Sequence, residues 1–194
     1  MPSEGDRTAN DAGRPLFRAA ARIYLVPLHP DPPAPQLVRW LADELKLRLS
    51  TEVEVAAPLE SESSWRAAQE GQLSSGAIVD SLMSRFPAED GSAVGWALAI
   101  ATNDLQGGGR DYVFGEATFE GAWAVVSTAR FGAPGDPHFR SRLLREALHE
   151  LGHLAGLRHC MERSCLMSPA ATAEDVDAAG MEPCPRCSHA AEGT

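Results

Sequence analysis

The spacing of apolar and polar residues along the chain predicts a series of strands and helices. Short runs that are apolar or that alternate in polarity are typical of strands, and apolar residues three or four positions apart are typical of helices. The predicted strands cover residues 22–28, 51–56, 94–101, 112–119 and 122–130, and the predicted helices cover residues 36–49, 76–86, 136–156 and 172–179. Strands that alternate with helices, followed by adjacent strands, indicate an α/β (α+β) fold with helices packed on a mixed sheet.

Two of the predicted strands indicate different environments. The run VGWALAIA at residues 94–101 is apolar throughout, which is typical of a central strand covered on both faces. The run TEVEVA at residues 51–56 alternates in polarity, as an outer strand does. The last long helix begins near Asp136 and Pro137, a frequent pair at helix starts, and carries a leucine-rich stripe towards the core.

The composition is that of a globular protein, because 44% of the 194 residues are hydrophobic. The formal net charge of −10 argues against nucleic acid and anionic membranes as partners, since both attract basic surfaces. No apolar run approaches the roughly 20 residues that a membrane-spanning helix needs.

The expected organisation is a disordered leader at residues 1–15, one domain at residues 16–187 and a flexible tail at residues 188–194. The leader is polar and lacks the apolar segment of a secretory signal. We therefore expect a cytoplasmic protein whose cysteines are reduced.

The end of the last long helix carries the pattern H-E-x-x-H-x-x-G-x-x-H, formed by His149, Glu150, His153, Gly156 and His159. Residues four apart on a helix share a face, so His149 and His153 can bind one metal ion. Gly156 can adopt the left-handed conformation that ends a helix, which lets the chain turn back and bring His159 to the same ion. Glu150 is then the predicted general base of a catalytic zinc site.

One histidine in such a helix is more often an ordinary surface or core residue, and HExxH alone also occurs by chance. The spaced glycine and the third histidine make a chance match rare. Met167, a few residues further on, is predicted to form an apolar floor below the metal. The remaining histidines match no motif and are expected to be ordinary polar residues; they are His29, His138 and His189.

The four cysteines lie close to the C-terminus, as the pairs Cys160/Cys165 and Cys184/Cys187. Paired thiolates at this spacing are typical of a closed tetrahedral structural zinc site. Disulfide bonds are the alternative, and a redox-active C-x-x-C is a weaker one, since no thioredoxin-like strand precedes it. Because Cys160 follows His159 directly, the second metal is expected to hold the third histidine and the nearby methionine in place.

These residues resemble the signature of the archaemetzincins, a branch of the metzincin zinc peptidases. That family carries H-E-x-x-H-x-x-G-x3-C-x4-C-x-M followed by C-x-x-C, which is matched here between His149 and Cys187. The run YVFGEA at residues 112–117 and the AVVS strand after it are also similar to family sequence.

The resemblance implies a compact metzincin-like zincin domain with a mixed, mostly parallel sheet and an active-site helix. It also implies a Met-turn and a zinc-stabilised C-terminal subdomain at residues 156–187. An antiparallel edge strand along the cleft, which we map to residues 122–130, would bind an extended peptide by backbone pairing. Two zinc ions per chain are implied, a catalytic one on His149, His153 and His159 and a structural one on Cys160, Cys165, Cys184 and Cys187, with Glu150 as the base and Met167 as the Met-turn residue.

We therefore expect a zinc-dependent metallopeptidase that hydrolyses peptides or small proteins. Two alternatives remain open. One is a non-proteolytic zinc-binding module that holds a peptide of a partner protein, and the other is an amide hydrolase for a non-peptide substrate. A module that only binds has no need of a general base, so the presence of Glu150 favours an enzyme.

Overall fold

The computed structural model of the chain describes residues 15–86 and 95–192. Residues 1–14 of the predicted leader and residues 193–194 of the predicted tail lie outside these ranges. In chain order the helices and strands are β1 (Arg22–Pro27), α1 (Pro35–Leu49), β2 (Glu52–Val55), β3 (Gln72–Ser74), α2 (Ser75–Arg85), β4 (Trp96–Ala101), β5 (Asp104–Gly107), β6 (Arg110–Val113), β7 (Gly115–Ala117), β8 (Trp123–Ser127), α3 (Phe139–Leu154), α4 (Ala173–Ala178) and α5 (Pro185–Glu192).

The main sheet has the strand order β2-β1-β4-β8-β7. Its first four strands pair in parallel, and β7 pairs antiparallel with β8. Strand β4 lies in the middle with all six residues buried, and β2 lies at one edge, so both environments predicted from the polarity patterns are confirmed. The predicted mixed, mostly parallel sheet is also confirmed.

The assignment of the antiparallel edge strand to residues 122–130 is wrong. That region contains β8, which pairs in parallel with β4 and lies inside the sheet, and the edge position belongs to β7. A tight turn reverses the chain between them, where the Gly121 N–H donates to the Thr118 carbonyl at 3.0 Å. The apolar run AVVS suits a strand buried on both faces, which is incompatible with an edge.

The predicted strand at residues 112–119 is two strands in two sheets. Strand β6 belongs to a small second sheet of order β3-β5-β6, and β7 belongs to the main sheet. Between them Phe114 turns into the core, where its ring stacks on that of Phe131 with 5.5 Å between centroids. Residues 103–110, which separate two of the predicted strands, contain β5 and the tip of a hairpin, where Gly108 and Gly109 have positive φ.

The core lies on both faces of the main sheet. Along β4 the large side chains Trp96, Leu98 and Ile100 face helices α1 and α3. The alternate alanines of β4 face α2 and the buried Trp65. This period of two follows from the pleat of a strand and places α3, with its histidines, against β7 and β8.

The C-terminal segment packs against α3 and contains α4 and α5. Thr172 and Asp175 form a reciprocal capping box at the start of α4, which confirms the helix predicted there. Residues 188–192 of the predicted tail belong to α5. Among the described residues, no helix is long and apolar enough to cross a membrane.

Candidate metal centres and cleft

The three predicted histidine ligands lie together at the end of α3. His149 and His153 are one helical turn apart, and Gly156 ends the helix with a φ of +82°. The reversal that follows brings His159 back to the other two, so that ligand atoms of all three lie within 4.8 Å of one another. The left-handed conformation predicted for Gly156 is thus confirmed.

Backbone carbonyls orient two of these imidazole rings. His149 Nδ1 lies 2.9 Å from the Leu166 carbonyl, and His153 Nδ1 lies 2.7 Å from the Leu157 carbonyl. Because a carbonyl oxygen only accepts hydrogen bonds, each Nδ1 carries a proton. Burial lowers the pKa of both histidines, which keeps them neutral and leaves each Nε2 with a free lone pair.

The two free Nε2 atoms face each other 3.1 Å apart. Two lone pairs at this distance repel unless a cation lies between them. Two nitrogens bound at 2.0–2.1 Å to one tetrahedral zinc ion are about 3.3 Å apart, close to the observed separation. The donor set, its tautomers and its carbonyl partners therefore fit a zinc ion.

Glu150 projects from α3 beneath strand β7. Its side chain is buried, and a Cβ atom placed on Gly115 would lie 2.5 Å from Glu150 Oε1. Burial raises the pKa of Glu150, and the carboxyl group of Glu146 one turn earlier raises it further. Glycine at position 115 is therefore what allows the edge strand to pass directly over this carboxyl group.

The structure places a buried ion pair next to Glu150 that the sequence analysis does not predict. Arg145 is 1% exposed and donates from Nη1 to Glu146 Oε2 at 2.8 Å. Its Nη2 donates to the Leu166 carbonyl at 3.0 Å and to the Ser168 carbonyl. One feature of the sequence does point to Glu146. It lies four residues before Glu150, so both carboxyl groups lie on the same buried side of α3 among apolar residues.

Met167 is fully buried between the two carbonyls that Arg145 contacts. A Cβ atom on Gly152 would lie 2.6 Å from Met167 Sδ, so the thioether packs directly against the bare backbone of α3. The Met167 carbonyl accepts a hydrogen bond from the Cys160 N–H at 2.8 Å. The methionine thus lies under the helix turn that bears the histidines, where the sequence predicts a floor.

The four cysteines form a second cluster, with their Sγ atoms within 4.8 Å of one another. All four thiols are free, and Cys160 Sγ lies 3.8 Å from Cys184 Sγ. Sulfurs bound at 2.3 Å to one tetrahedral zinc ion are about 3.8 Å apart, whereas a disulfide requires about 2.05 Å. The geometry fits a structural zinc site and excludes disulfides in this conformation.

Hydrogen bonds to sulfur favour the thiolate of Cys160, whereas burial raises the pKa of the Cys165 and Cys187 thiols. Burial raises the pKa of the Cys160 thiol, but hydrogen bonds from the Glu162 backbone N–H and the Arg186 guanidinium outweigh burial and lower this pKa to about 7. Arg186 Nη2 lies 3.1 Å from Cys160 Sγ. Cys165 Sγ accepts from the backbone N–H of Cys184 at 3.2 Å. Metal-binding cysteines are deprotonated, so these contacts suit the proposed ligands.

A cleft of about 810 Å³ lies in front of the histidines. One wall is the continuous segment 110–117, which includes β6 and β7. The opposite side is formed by α3 and by residues 169–171, which follow Met167. The cleft therefore gives an extended ligand access to both the histidine cluster and Glu150.

The matches to known proteins agree with this geometry. A sequence model of peptidase family M54 matches residues 59–192, more than half of the chain. The chain belongs to this family. A similar protein, archaemetzincin of Methanopyrus kandleri, is 40% identical over 90 residues, which cover 46% of this chain and 51% of the relative. The chain thus spans about half the length of the curated relatives it matches.

Solved archaemetzincin structures share the fold over most of the chain. The crystal structure of archaemetzincin from Archaeoglobus fulgidus, complexed with malonate, has a TM-score of 0.74 and 30% identity, covering 87% of this chain and 98% of that one. The archaemetzincin structure from Methanopyrus kandleri gives 0.73 and 28%, covering 90% and 94%. The predicted metzincin-like fold is confirmed.

Proposed function

We propose that this M54 protein is a zinc-dependent peptidase that uses Glu150 as its general base. The observation that carries the proposal is the pair of Nε2 lone pairs facing each other across 3.1 Å beside a buried carboxyl group, at the floor of an open cleft. Membership of a peptidase family supports the reaction type.

His149, His153 and His159 would hold the catalytic zinc ion, and the four cysteines would hold a second, structural one. When bound, the catalytic ion activates a water molecule and polarises the carbonyl group that is attacked. Hydrolysis adds the hydroxyl of one water to the carbonyl carbon, breaks the C–N bond and delivers a proton to the departing amine. Glu150 carries that proton from the water to the amine.

The environment of Glu150 suits this transfer. Burial and the neighbouring Glu146 raise the pKa of Glu150 well above its usual value, which makes this carboxylate a stronger proton acceptor. Arg145 opposes this shift and holds Glu146 in place through the hydrogen bond between them.

The free edge of β7 is the proposed binding surface for the peptide backbone. Among the described strands β7 pairs with β8 alone, so its other edge offers N–H and carbonyl groups to the cleft. Gly115 on this edge lies against Glu150, which aligns a bound peptide bond with the base. Peptides or small proteins with an extended segment are therefore the proposed substrates.

The proposal is tested with Glu150→Gln, which keeps the size of the side chain and removes the base. We expect two zinc ions per chain by elemental analysis in both proteins, and a roughly 10²- to 10⁴-fold lower kcat for peptide hydrolysis in the variant. Glu174→Gln, an exposed change on α4, serves as the matched control and is expected to hydrolyse peptides normally.

Full activity of Glu150→Gln would show that another group is the base. Fewer than two zinc ions in the wild-type protein would contradict the pair of metal sites. A zinc-loaded wild-type protein that binds peptides but cleaves none across a broad library would instead support a binding module. Hydrolysis restricted to non-peptide amides would assign a different substrate class.

A further inference from the structure

A hydrogen bond joins the two walls of the cleft on one side of the histidine cluster. Tyr112, on β6, donates from its hydroxyl group to the carbonyl of Ala171, which follows the Met167 segment. Arg130 lies 3.6 Å above the Tyr112 ring and is fixed by a bidentate ion pair with Asp104. The Ala171 N–H donates to Asp175 at 3.1 Å, so both ends of the bridge are anchored.

The position of this bridge can be related to the direction of a bound peptide. Antiparallel pairing is the more stable arrangement at a free strand edge, so a peptide on β7 would run from the Ala117 end towards Gly115. Gly115 marks the scissile bond, because it lies against Glu150. The residues after the scissile bond therefore point towards β6 and Tyr112.

The available length on that side is short. Tyr112 precedes Gly115 by three residues, and because extended backbone advances about 3.3 Å per residue, the bridge lies at most roughly 10 Å from the scissile position. This distance accommodates about two or three substrate residues. At the opposite end of the cleft the contact recorded among the described residues is of another kind, since the Arg158 guanidinium lies 4.3 Å from the centre of the Phe119 ring without a hydrogen bond to it.

Arg110 lies at the end of the cleft where Tyr112 and Ala171 form their hydrogen bond. Arg110 is two residues before Tyr112 on β6 and lines the same cleft. Among the described residues no carboxylate pairs with it, although the chain as a whole is strongly acidic. Arg110 and the three histidines line one cleft, which places the guanidinium on the same cavity as the histidine cluster.

We propose that the cleft binds the C-terminal end of a peptide, with the Tyr112–Ala171 bridge closing the far end and Arg110 pairing with the terminal carboxylate. The inference rests on the proposed peptidase function and adds a substrate class to it. An arginine and a carboxylate can form two parallel charged hydrogen bonds, which fixes the chain end as well as attracting it. The products would be a shortened peptide and a C-terminal di- or tripeptide.

The first test compares matched substrates for the zinc-loaded wild-type protein. One N-acetylated peptide is prepared as the free acid, as the C-terminal amide, and as an amide with glutamate as its last residue. Mass spectrometry of the free-acid reaction is expected to show release of di- or tripeptides, with kcat/KM roughly 10- to 100-fold above that of the plain amide. Three results would each overturn the inference: equal kcat/KM for the free acid and the plain amide, cleavage at internal bonds, or a glutamate amide that is hydrolysed as fast as the free acid.

The second test uses variants of the two proposed groups. Arg110→Gln is expected to bring the acid-to-amide ratio of kcat/KM towards one. Arg158→Gln, at the opposite end of the same cleft, is the matched control and should keep the wild-type ratio of acid to amide kcat/KM. Tyr112→Phe removes the hydroxyl donor while keeping the ring, and should yield longer C-terminal products. Unchanged product lengths in Tyr112→Phe would show that the bridge does not limit the cleft.

A binding measurement separates failure of this inference from failure of the proposed function. Calorimetry with zinc-loaded Glu150→Gln protein should show tighter binding of the free-acid peptide than of its amide. That preference should be lost in Glu150→Gln/Arg110→Gln. If the wild type hydrolyses nothing yet the preference appears, the proposed peptidase activity fails and the carboxylate subsite stands. Equal binding of acid and amide overturns the subsite whether or not hydrolysis occurs.

Discussion

At the residue scale, the absence of a side chain at Gly115 determines where Glu150 can lie. The Gly115→Ala substitution would place a Cβ atom 2.5 Å from Glu150 Oε1, a distance at which one of the two groups must move. A shift of about 1 Å in a catalytic group can lower the rate roughly 100-fold, so we expect a large loss of kcat with full zinc content. Peptide hydrolysis assays and elemental analysis check this.

The matched control for that change is Gly76→Ala in α2, where a Cβ atom meets nothing within 4 Å. It is expected to retain wild-type activity. Wild-type kcat in Gly115→Ala would mean that the carboxyl group has room to adapt, and the close approach of β7 would then have no part in orienting the base.

The sequence predicts some residues of the site and not others, for a physical reason. His149, Glu150 and His153 belong to one helix, so their relative positions follow from helical periodicity. Gly115 and Tyr112 acquire their roles through contacts with residues 35 and 59 positions away, since they meet Glu150 and Ala171. Spacing along the chain carries no information about such contacts.

At the scale of elements, hydrogen bonds from Arg145 hold the segment around Met167 against α3. Its guanidinium is buried and contacts two backbone carbonyls of that segment as well as Glu146. Arg145→Met would leave a buried carboxylate and two carbonyls without this donor, a loss of about 3–5 kcal/mol of stability. Because His149 shares the Leu166 carbonyl with Arg145, we also expect weaker binding of the catalytic zinc ion.

Urea unfolding and a chelator competition for zinc test this prediction. The double variant Arg145→Met/Glu146→Leu is the informative control, because it removes both charges together. It should recover much of the stability lost in Arg145→Met. If Arg145→Met alone is as stable as the wild type, the contacts of Arg145 contribute little to the free energy of unfolding.

The elements themselves differ in how far the sequence determines them. The fully apolar run of β4 and the alternating run of β2 indicate their positions in the sheet correctly. The edge strand is misassigned because β7 has three residues of mixed character, too few for a period of two to be visible. The three-stranded second sheet escapes prediction for the same reason, since β3 has three residues and β5 has four.

At the scale of the whole molecule, the two candidate metal sites form one connected unit, joined by the chain and by a hydrogen bond. His159 and Cys160 are adjacent, and the Cys160 N–H donates to the carbonyl of Met167, which packs on α3. Cys184 reaches this unit from the far end of the chain, with its Sγ 3.8 Å from that of Cys160. A structural zinc ion there would link the C-terminus to the third histidine ligand.

Cys184→Ser is therefore expected to remove the structural zinc ion and to weaken the catalytic one, although the residue touches no histidine. Binding of a structural zinc ion supplies folding free energy, so its loss frees the segment that positions His159. Elemental analysis and competition with a graded series of chelators measure the two losses separately. Met161→Ser, a change at an 88% exposed position between Cys160 and Cys165, should leave both ions bound. Catalytic zinc affinity and peptide hydrolysis at wild-type levels in Cys184→Ser would show that α3 and its turn hold His159 without help from the cysteine cluster.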